Sequence, residues 1–340
     1  FGALGLTLCT MADPASAQLQ TRPLAPGKVA SVDGQKAVFV VAHRGGAGLY
    51  PENTVSAVRH SLALGVDAVE IDVQLTADGR LVAYHDLQLS PTTTQAPYDE
   101  WLVKPGEAIN DLSYEQLRIY DVGGVNPRTD YARLYPDQTR VEEEPIPLLS
   151  DIIEVMKDQG DGTERLWVEI KTDPTQPDLS GPSAATAEAL IKLLKAEEFL
   201  DRTDILSFDW TALEKVRALH PISRRVYLTM DPKWMQAQGS QMSTKEARKI
   251  LWGGVDLKAF DGSLPRAAAA QGGLAWAAFH GDLDAGSVAE AERLGLAVSA
   301  WTVNEPGRLR QMIALGVDSI VTDRPDVLLA MLGRLSQPVE

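Results

Sequence analysis

Eight short apolar segments, separated by segments with apolar residues at helical spacing, run through most of this 340-residue chain. They have the length and character of buried strands, and they cover residues 37–43, 67–73, 165–171, 204–208, 224–229, 274–280, 296–301 and 318–322. Helices that join consecutive strands make those strands parallel neighbours in one sheet. Eight such units predict an α/β fold, the (β/α)8 or TIM barrel. A doubly wound open sheet is the alternative, although no Gly-x-Gly-x-x-Gly turn supports it.

The chain is longer than a minimal barrel because of a region after the second strand. Residues 76–85 predict a hairpin with an Asp-Gly turn, a common connection between two antiparallel strands. A long insertion then covers about 90–146 and has one clear helical segment at 113–121. Long insertions on a barrel either cover its active site or merely decorate it. We predict one barrel domain over 37–335.

The first residues resemble part of a secretory signal. Residues 1–17 are mostly apolar and end in Ala-Ser-Ala at 15–17, a small-x-small pattern typical of a cleavage site. We expect 1–17 to be the remnant of a signal peptide, 18–36 to be a linker, and the protein to be secreted or periplasmic. A disordered or tag-derived tail is the alternative. Cys9 is the only cysteine, so the mature chain would have neither a disulfide nor thiol chemistry.

Charge limits the classes of partner. The net charge is −15, and 44% of the residues are hydrophobic, as in an ordinary globular protein. This charge repels nucleic acids and anionic membrane surfaces, so we expect neither as a partner. No run after the first residues is long enough to span a membrane, so stable membrane insertion is not expected. An anionic substrate would need cationic side chains close to it.

Polar residues occupy the carboxyl ends of the predicted strands. Glu70 and Asp72 are two residues apart on the second strand, and Glu169 and Lys171 repeat that spacing on the third. Side chains two apart lie on one face of a strand, and barrels build their active sites at this end. Three carboxylates suit one Ca²⁺ or Mg²⁺ ion. Internal ion pairs with Lys171 and Arg44, without any metal, are the alternative.

An ordered series of motifs carries a resemblance to a known family. The motifs are HRGGAGLYPENT, VEIDVQLTADGRLVAYHD, WVEIK, SFD, AWTVN and GVDSIVTDRP, which span about residues 38–330. The series resembles the glycerophosphodiester phosphodiesterase family. The resemblance implies a (β/α)8 barrel that hydrolyses glycerophosphodiesters, which are small molecules, to glycerol 3-phosphate and an alcohol. It also implies one divalent cation as cofactor.

The resemblance also implies a role for each motif residue. The implied metal ligands are Glu70, Asp72 and Glu169. The implied general acid and base are His43 and His85. The residues implied to bind phosphate or substrate are Arg44, Glu52, Lys171 and Trp301. We expect the glycines after Arg44 to let the backbone approach the ligand closely.

Several motif residues allow more than one interpretation. Trp301 could form a wall of the substrate site or serve packing alone. Asp323 precedes Arg-Pro and is predicted to cap a helix, Phe208 and Asp209 are predicted to serve the core or a cap, and His280 could reach the site. Where the family usually has Arg-Thr-Thr after the second histidine, this chain has Ser-Pro-Thr-Thr at 90–93.

Two other functions compete with the leading one. A lipid phosphodiesterase of the lysophospholipase D type, on a similar barrel, would need an exposed apolar rim, and the sequence shows no convincing one. A binding protein that captures glycerophosphodiesters without turnover would be favoured if a histidine or a metal-binding acid were missing, and all are present.

Overall fold

The structure is a computed structural model that describes residues 37–98, 100–231, 233 and 245–335. The predicted signal segment, 1–17, and the predicted linker, 18–36, lie outside the described residues. Within the described ranges, no helix combines the length and the apolarity needed to cross a membrane.

The strands of the described residues close into a barrel. They are β1 (Phe39–Ala42), β2 (Ala68–Leu75), β3 (Leu81–Ala83), β4 (Gln95–Ala96), β5 (Glu100–Trp101), β6 (Arg165–Ile170), β7 (Thr203–Ser207), β8 (Arg224–Thr229), β9 (Ala275–Phe279), β10 (Ala297–Trp301) and β11 (Ser319–Thr322). One sheet has the order β1-β11-β10-β9-β8-β7-β6-β2-β3, and β1 also pairs with β2. The eight parallel strands therefore form the predicted (β/α)8 barrel, with β3 antiparallel to β2. The open-sheet alternative is wrong.

Helices connect the barrel strands as the sequence pattern predicts. They are α1 (Val55–Leu64), α2 (Tyr114–Leu117), α3 (Leu149–Gln159), α4 (Ser183–Ala196), α5 (Trp210–Leu219), α6 (Lys245–Leu251), α7 (Leu264–Ala270), α8 (Ala285–Arg293), α9 (Pro306–Leu315) and α10 (Pro325–Met331). The Thr54 side chain caps α1 by accepting the Ala57 N–H. Asp209 caps α5 in the same way, through the Thr211 N–H. The cap predicted at Asp209 is confirmed.

Alternate strand residues face the interior of the barrel and fill it. One apolar cluster combines side chains from seven of the barrel strands, and it consists of Phe39, Val41, Ala68, Trp167, Leu206, Val226, Leu228, Ala275, Ala277 and Val321. Because successive side chains alternate between faces, Glu70 and Asp72 follow Ala68 on the inner face of β2. Glu169 follows Trp167 in the same way on β6. The packed interior leaves these acids at the carboxyl end of the barrel.

The insertion after β3 has a small apolar cluster of its own. That cluster consists of Val82, Tyr84, Leu89, Ile109, Leu112, Leu117, Val122, Ile146 and Leu148. The helix predicted at 113–121 is shorter than expected, because Gln95 and Asp121 exchange both backbone hydrogen bonds. That bridge draws the residues after α2 into an extended conformation beside β4.

Candidate active site

The first barrel strand ends in a strained turn over His43–Gly45. Arg44 has φ 50°, and Gly45 and Gly46 have φ 83° and 93°. Left-handed backbone favours glycine, and strained residues of other types tend to cluster at functional sites. A Cβ at Gly45 would lie only 2.8 Å from the Cβ of Ala57 on α1. The backbone at Gly45 therefore approaches α1 closely, and the close approach to a ligand stays a prediction.

Three carboxylates meet where β2 and β6 lie side by side. Glu70, Asp72 and Glu169 are buried, and each offers an oxygen within 4.8 Å of the others. The register places Asp72 opposite Glu169. Among the described residues, the buried Oε1 of Glu70 has no hydrogen-bond partner. An orphaned buried oxygen among three hard donors fits a divalent cation, and these are the three predicted metal ligands.

Ion pairs account for only part of this acidic cluster. Lys171 Nζ lies 2.9 Å from Glu169 Oε1 and 3.3 Å from Asp72 Oδ1. Arg44 Nε lies 3.4 Å from Asp72 Oδ2. Glu70 Oε2 accepts the backbone N–H of Arg44 at 2.7 Å, but no Lys or Arg side chain in the described part of the chain pairs with Glu70. The metal-free alternative therefore leaves one carboxylate uncompensated.

The pKa values of Glu70 and Asp72 reflect the same uneven distribution of positive charge around the two carboxylates. Burial, followed by the charge of Asp72, raises the pKa of Glu70 to about 8. Burial would also raise the pKa of Asp72, but the charge of Lys171 and other nearby basic groups hold that pKa well below its ordinary value. Opposite shifts in adjacent carboxyls are typical of functional sites. A cation beside Glu70 would favour its ionised form.

Asn53 orients one of the predicted metal ligands. Its Nδ2 donates to Asp72 Oδ2 at 2.9 Å, and its Oδ1 accepts the Asp72 backbone N–H at 3.0 Å. Asn53 has φ 58°, a value that Asn tolerates better than most residues. No role for Asn53 was predicted from the sequence, although it lies inside the first motif beside Glu52.

The Asp323 side chain contacts His43 and does not cap a helix. Asp323 Oδ1 lies 2.6 Å from His43 Nδ1, and Oδ2 accepts from Asn304 Nδ2 at 2.6 Å. Arg324 occupies the N-cap of α10, without a side-chain cap, so the cap predicted at Asp323 is wrong. The parallel register of β1 with β11, Ala42 opposite Thr322, brings the two side chains together. A carboxylate acceptor at Nδ1 leaves Nε2 as the basic ring nitrogen.

The pair shifts both of its pKa values. Burial lowers the pKa of His43, but the charge and hydrogen bond of Asp323 outweigh burial, and the pKa is raised above its ordinary value. Burial raises the pKa of Asp323, yet the charge and hydrogen bond of His43 lower it overall. The neutral imidazole is therefore more basic than an isolated one.

Several predicted site residues line one cavity of about 730 Å³. Those residues are Arg44, His85, Glu169, Lys171 and Trp301. His85 Nδ1 lies 2.7 Å from Asp86 Oδ1, so its Nε2 is the nitrogen without that partner. The cavity thus brings an imidazole, two basic side chains and one carboxylate of the acidic cluster within reach of one small molecule.

Trp301 both packs and lines the cavity, so the two interpretations of it hold together. Its indole N–H donates to the Ala277 carbonyl at 3.0 Å. Phe208, another cavity residue, contacts its ring edge-on with centroids 5.3 Å apart. His280 is held instead by the guanidinium of Arg308, whose Nε donates to His280 Nδ1 at 2.9 Å.

A tyrosine of the insertion joins the site at Glu52. The Tyr131 hydroxyl donates to Glu52 Oε2 at 2.5 Å and accepts from Arg44 Nη1 at 3.3 Å, while Arg44 Nη1 also donates to Glu52 Oε1 at 2.9 Å. Tyr135 lies 3.3 Å away, hydroxyl to hydroxyl. Burial and the charge of Glu52 raise the pKa of Tyr131 far above its ordinary value. No role was predicted for either tyrosine from the sequence.

Comparisons with known proteins identify the family of the chain. A model of the glycerophosphoryl diester phosphodiesterase family matches residues 43–327. A glycerophosphodiester phosphodiesterase of Bacillus altitudinis is 28% identical over 295 residues, which are 84% of this chain and 95% of that protein. A crystal structure assigned to this family from Silicibacter pomeroyi is 33% identical, with a TM-score of 0.76, and the match covers 87% of this chain and 93% of that one.

A fourth comparison bears on the fold. A phosphodiesterase of Oleispira antarctica, solved in complex with the product sn-glycerol-3-phosphate, is 23% identical, with a TM-score of 0.63 over 87% of this chain and 96% of that one. The match to the family model includes every predicted site residue, from His43 to Trp301. The chain therefore belongs to the glycerophosphoryl diester phosphodiesterase family, and the enzyme family predicted from its motifs is confirmed.

Proposed function

We propose that this protein hydrolyses glycerophosphodiesters to glycerol 3-phosphate and an alcohol with the help of one divalent cation. The observation that carries the proposal is the buried carboxylate cluster, which lies beside two basic side chains and two histidines at one end of the barrel. The names of the relatives, including the product complex of the Oleispira protein, support the same substrate class.

Glu70, Asp72 and Glu169 would hold the cation, and their oxygens suit Ca²⁺ or Mg²⁺ better than zinc. When bound, the cation offsets the charge that grows on the phosphoryl group in the transition state. The orphaned oxygen of Glu70 supports this assignment because it lies buried without a partner in the described residues.

Arg44 and Lys171 would oppose the remaining charge of the phosphodiester. Both side chains line the cavity, and each already lies close to an acid of the cluster. Cations fixed in advance lower the barrier because they need little reorganisation during the reaction. Glu52, paired with Arg44, would limit how far that guanidinium moves.

The two histidines would move the protons. His43, with Nδ1 engaged by Asp323, would accept a proton at Nε2 from the nucleophile, which is water or the glycerol hydroxyl. As the new P–O bond forms and the bond to the alcohol breaks, His85 would donate its proton to the leaving oxygen. Imidazole serves both roles near neutral pH because its ordinary pKa is about 6.5.

Release of glycerol 3-phosphate from glycerophosphocholine, assayed with Ca²⁺ or Mg²⁺ and then with EDTA, tests the proposal. We expect EDTA to abolish release and the Glu70→Gln variant to lose at least about a hundredfold in kcat/KM. Glu154→Gln, an exposed change on α3, is the matched control and should retain full activity. Undiminished release in EDTA, or full activity of Glu70→Gln, would exclude the metal-dependent reaction.

A further inference from the structure

The most exposed large apolar side chains of the described residues are concentrated in the insertion. Tyr98 is 96% exposed, Val103 95%, Leu134 67% and Ile119 57%. The other large apolar residues in the exposed class are less exposed and lie elsewhere, at Ile222, Ile250 and Leu294. Single exposed apolar residues are ordinary on a protein surface, but their concentration in one segment beside the cavity is not explained by the fold.

Tyr98 and Val103 belong to a ribbon that rises from the cavity wall. Residues 87–96 and 100–108 run antiparallel, with Leu89 and Gly106 joined by a 2.8 Å backbone hydrogen bond. The base of this ribbon, including Leu87–Pro91 and Pro105, lines the cavity. The wall of the substrate cavity and the exposed tip are thus one continuous element.

Leu134 is an exposed apolar residue on a second element of the insertion. It ends the turn Asp130–Leu134, whose Tyr131 reaches Glu52 and Arg44 at the site. The exposed apolar groups of two separate parts of the insertion therefore flank the active site. In the sequence these residues are scattered at 98, 103 and 134, which is why no apolar rim was recognised there.

We propose that the insertion is a docking surface for zwitterionic phospholipid, with Tyr98, Val103 and Leu134 entering the headgroup layer. Exposed charged residues are interspersed with them, namely Glu100, Lys104, Asp130 and Arg133. The core of a protein–protein interface is depleted of charge, whereas a headgroup layer accepts charges beside apolar tips. Tyrosine suits this boundary because one end of its ring is apolar and the other is polar.

The net negative charge of the protein favours docking to lipid that carries no net charge. At a net charge of −15, an anionic surface repels the chain, whereas a phosphocholine surface carries no net charge. Docking would hold the cavity mouth near lipid headgroups, and the enzyme would then act on lysophospholipids. That consequence rests on the proposed function, but docking itself does not, because it is measured without turnover.

Flotation of the full chain with phosphatidylcholine vesicles tests the proposal. We expect the wild-type protein to float with the vesicles, and the Tyr98→Ser/Val103→Ser variant to bind about tenfold more weakly because two apolar groups are lost. The Ile222→Ser/Leu294→Ser variant is the matched control and should bind like the wild type. Vesicles that contain anionic lipid should bind the wild type more weakly than phosphatidylcholine vesicles do. This loss of binding should be larger at low salt, where the repulsion is screened less.

Three outcomes would overturn the proposal: no flotation of the wild type, equal losses in both double variants, or stronger binding to anionic vesicles. Self-association in the absence of lipid that the Tyr98→Ser/Val103→Ser variant abolishes would assign the surface to a second copy of the chain instead. Hydrolysis of soluble glycerophosphocholine should be equal in all three proteins. A loss of hydrolysis common to all three concerns the proposed function and leaves the flotation result intact.

Discussion

Two histidines near the carboxyl end of the barrel each contact an aspartate, but in different surroundings. On the barrel side, His43 and Asp323 lie 2.6 Å apart, with side chains only 17% and 6% exposed. On the insertion side, His85 and Asp86 lie 2.7 Å apart but are 30% and 49% exposed. A buried charge pair is screened less by solvent than an exposed one. We therefore expect the barrel pair to be the more rigid and the more sensitive to substitution.

The largest expected effect separates the two histidines by their roles. With glycerophosphocholine, His43→Ala and His85→Ala should each lose about 10²–10⁴-fold in kcat. A substrate with a nitrophenol leaving group needs no general acid, so His85→Ala should recover most of its activity there, while His43→Ala should not. Steady-state kinetics on both substrates measures this difference. Equal recovery of the two variants would contradict the division of roles.

His220→Ala provides the control for that comparison. His220 lies at the end of α5 and is not among the predicted site residues. Its activity on both substrates should match that of the wild type.

Substitution of the aspartate that contacts each histidine should likewise cost more activity at the buried pair than at the exposed pair. Asp323→Asn should cost about ten- to a hundredfold in kcat, as for other groups that orient a reacting side chain. Asp86→Asn, at the exposed pair, should cost less. As the proposed general base, His43 would accept a proton only when neutral, so activity should rise with pH through its pKa. Asp323 raises that pKa, so Asp323→Asn should move the acid limb of the pH–rate profile to lower pH.

The stability of the fold should also depend on the His43–Asp323 pair, and this contribution should vary with pH. The raised pKa of His43 stabilises the fold fully below about pH 6.5, and this contribution is lost as pH rises through the folded-state value. The lowered pKa of Asp323 adds stability that is lost as pH falls through its own folded-state value. The Tm difference between the wild type and Asp323→Asn should therefore be largest in mildly acidic solution. A difference independent of pH would show that the pair is not ionised.

The smallest expected effect comes from the insertion. Tyr131→Phe removes a hydroxyl that contacts both Glu52 and Arg44, so the two side chains lose one restraint. We expect KM to rise about three- to tenfold, the effect of one net hydrogen bond, with kcat nearly unchanged. Tyr114→Phe, in the same insertion, is the control and should change neither constant. A large fall in kcat would mean that Tyr131 contacts the reacting atoms.

Local patterns were sufficient to predict the barrel and the acidic cluster. Alternating strands and helices fix the order of a parallel sheet, and acids two residues apart must share a strand face. Glu70, Asp72 and Glu169 were predicted for that reason and meet as expected. The packing of the turn after β1 against α1 was not predicted, since a glycine pair does not indicate which neighbour it approaches.

The contacts that sequence could not predict join distant parts of the chain. Asp323 and His43 are 280 residues apart, and an Asp before Arg-Pro at the start of a helix is locally indistinguishable from a cap. Tyr131 lies in an irregular insertion, where no periodicity indicates which side faces the site. A closed barrel pairs its first and last strands, but only the observed register of β1 with β11 places Asp323 beside His43. The sequence does not give that register, so the contact between the two side chains could not be predicted.

The pairing of the first barrel strand with the last also has a consequence for protein synthesis. Asp323 and its neighbour strand are translated about 280 residues after His43. A nascent or truncated polypeptide that lacks β11 and Asp323 has no carboxylate partner for the His43 imidazole, even if Glu70, Asp72 and Glu169 are already in place. Full hydrolytic activity would thus appear only once the final strand has docked, so that turnover itself reports the completion of the barrel.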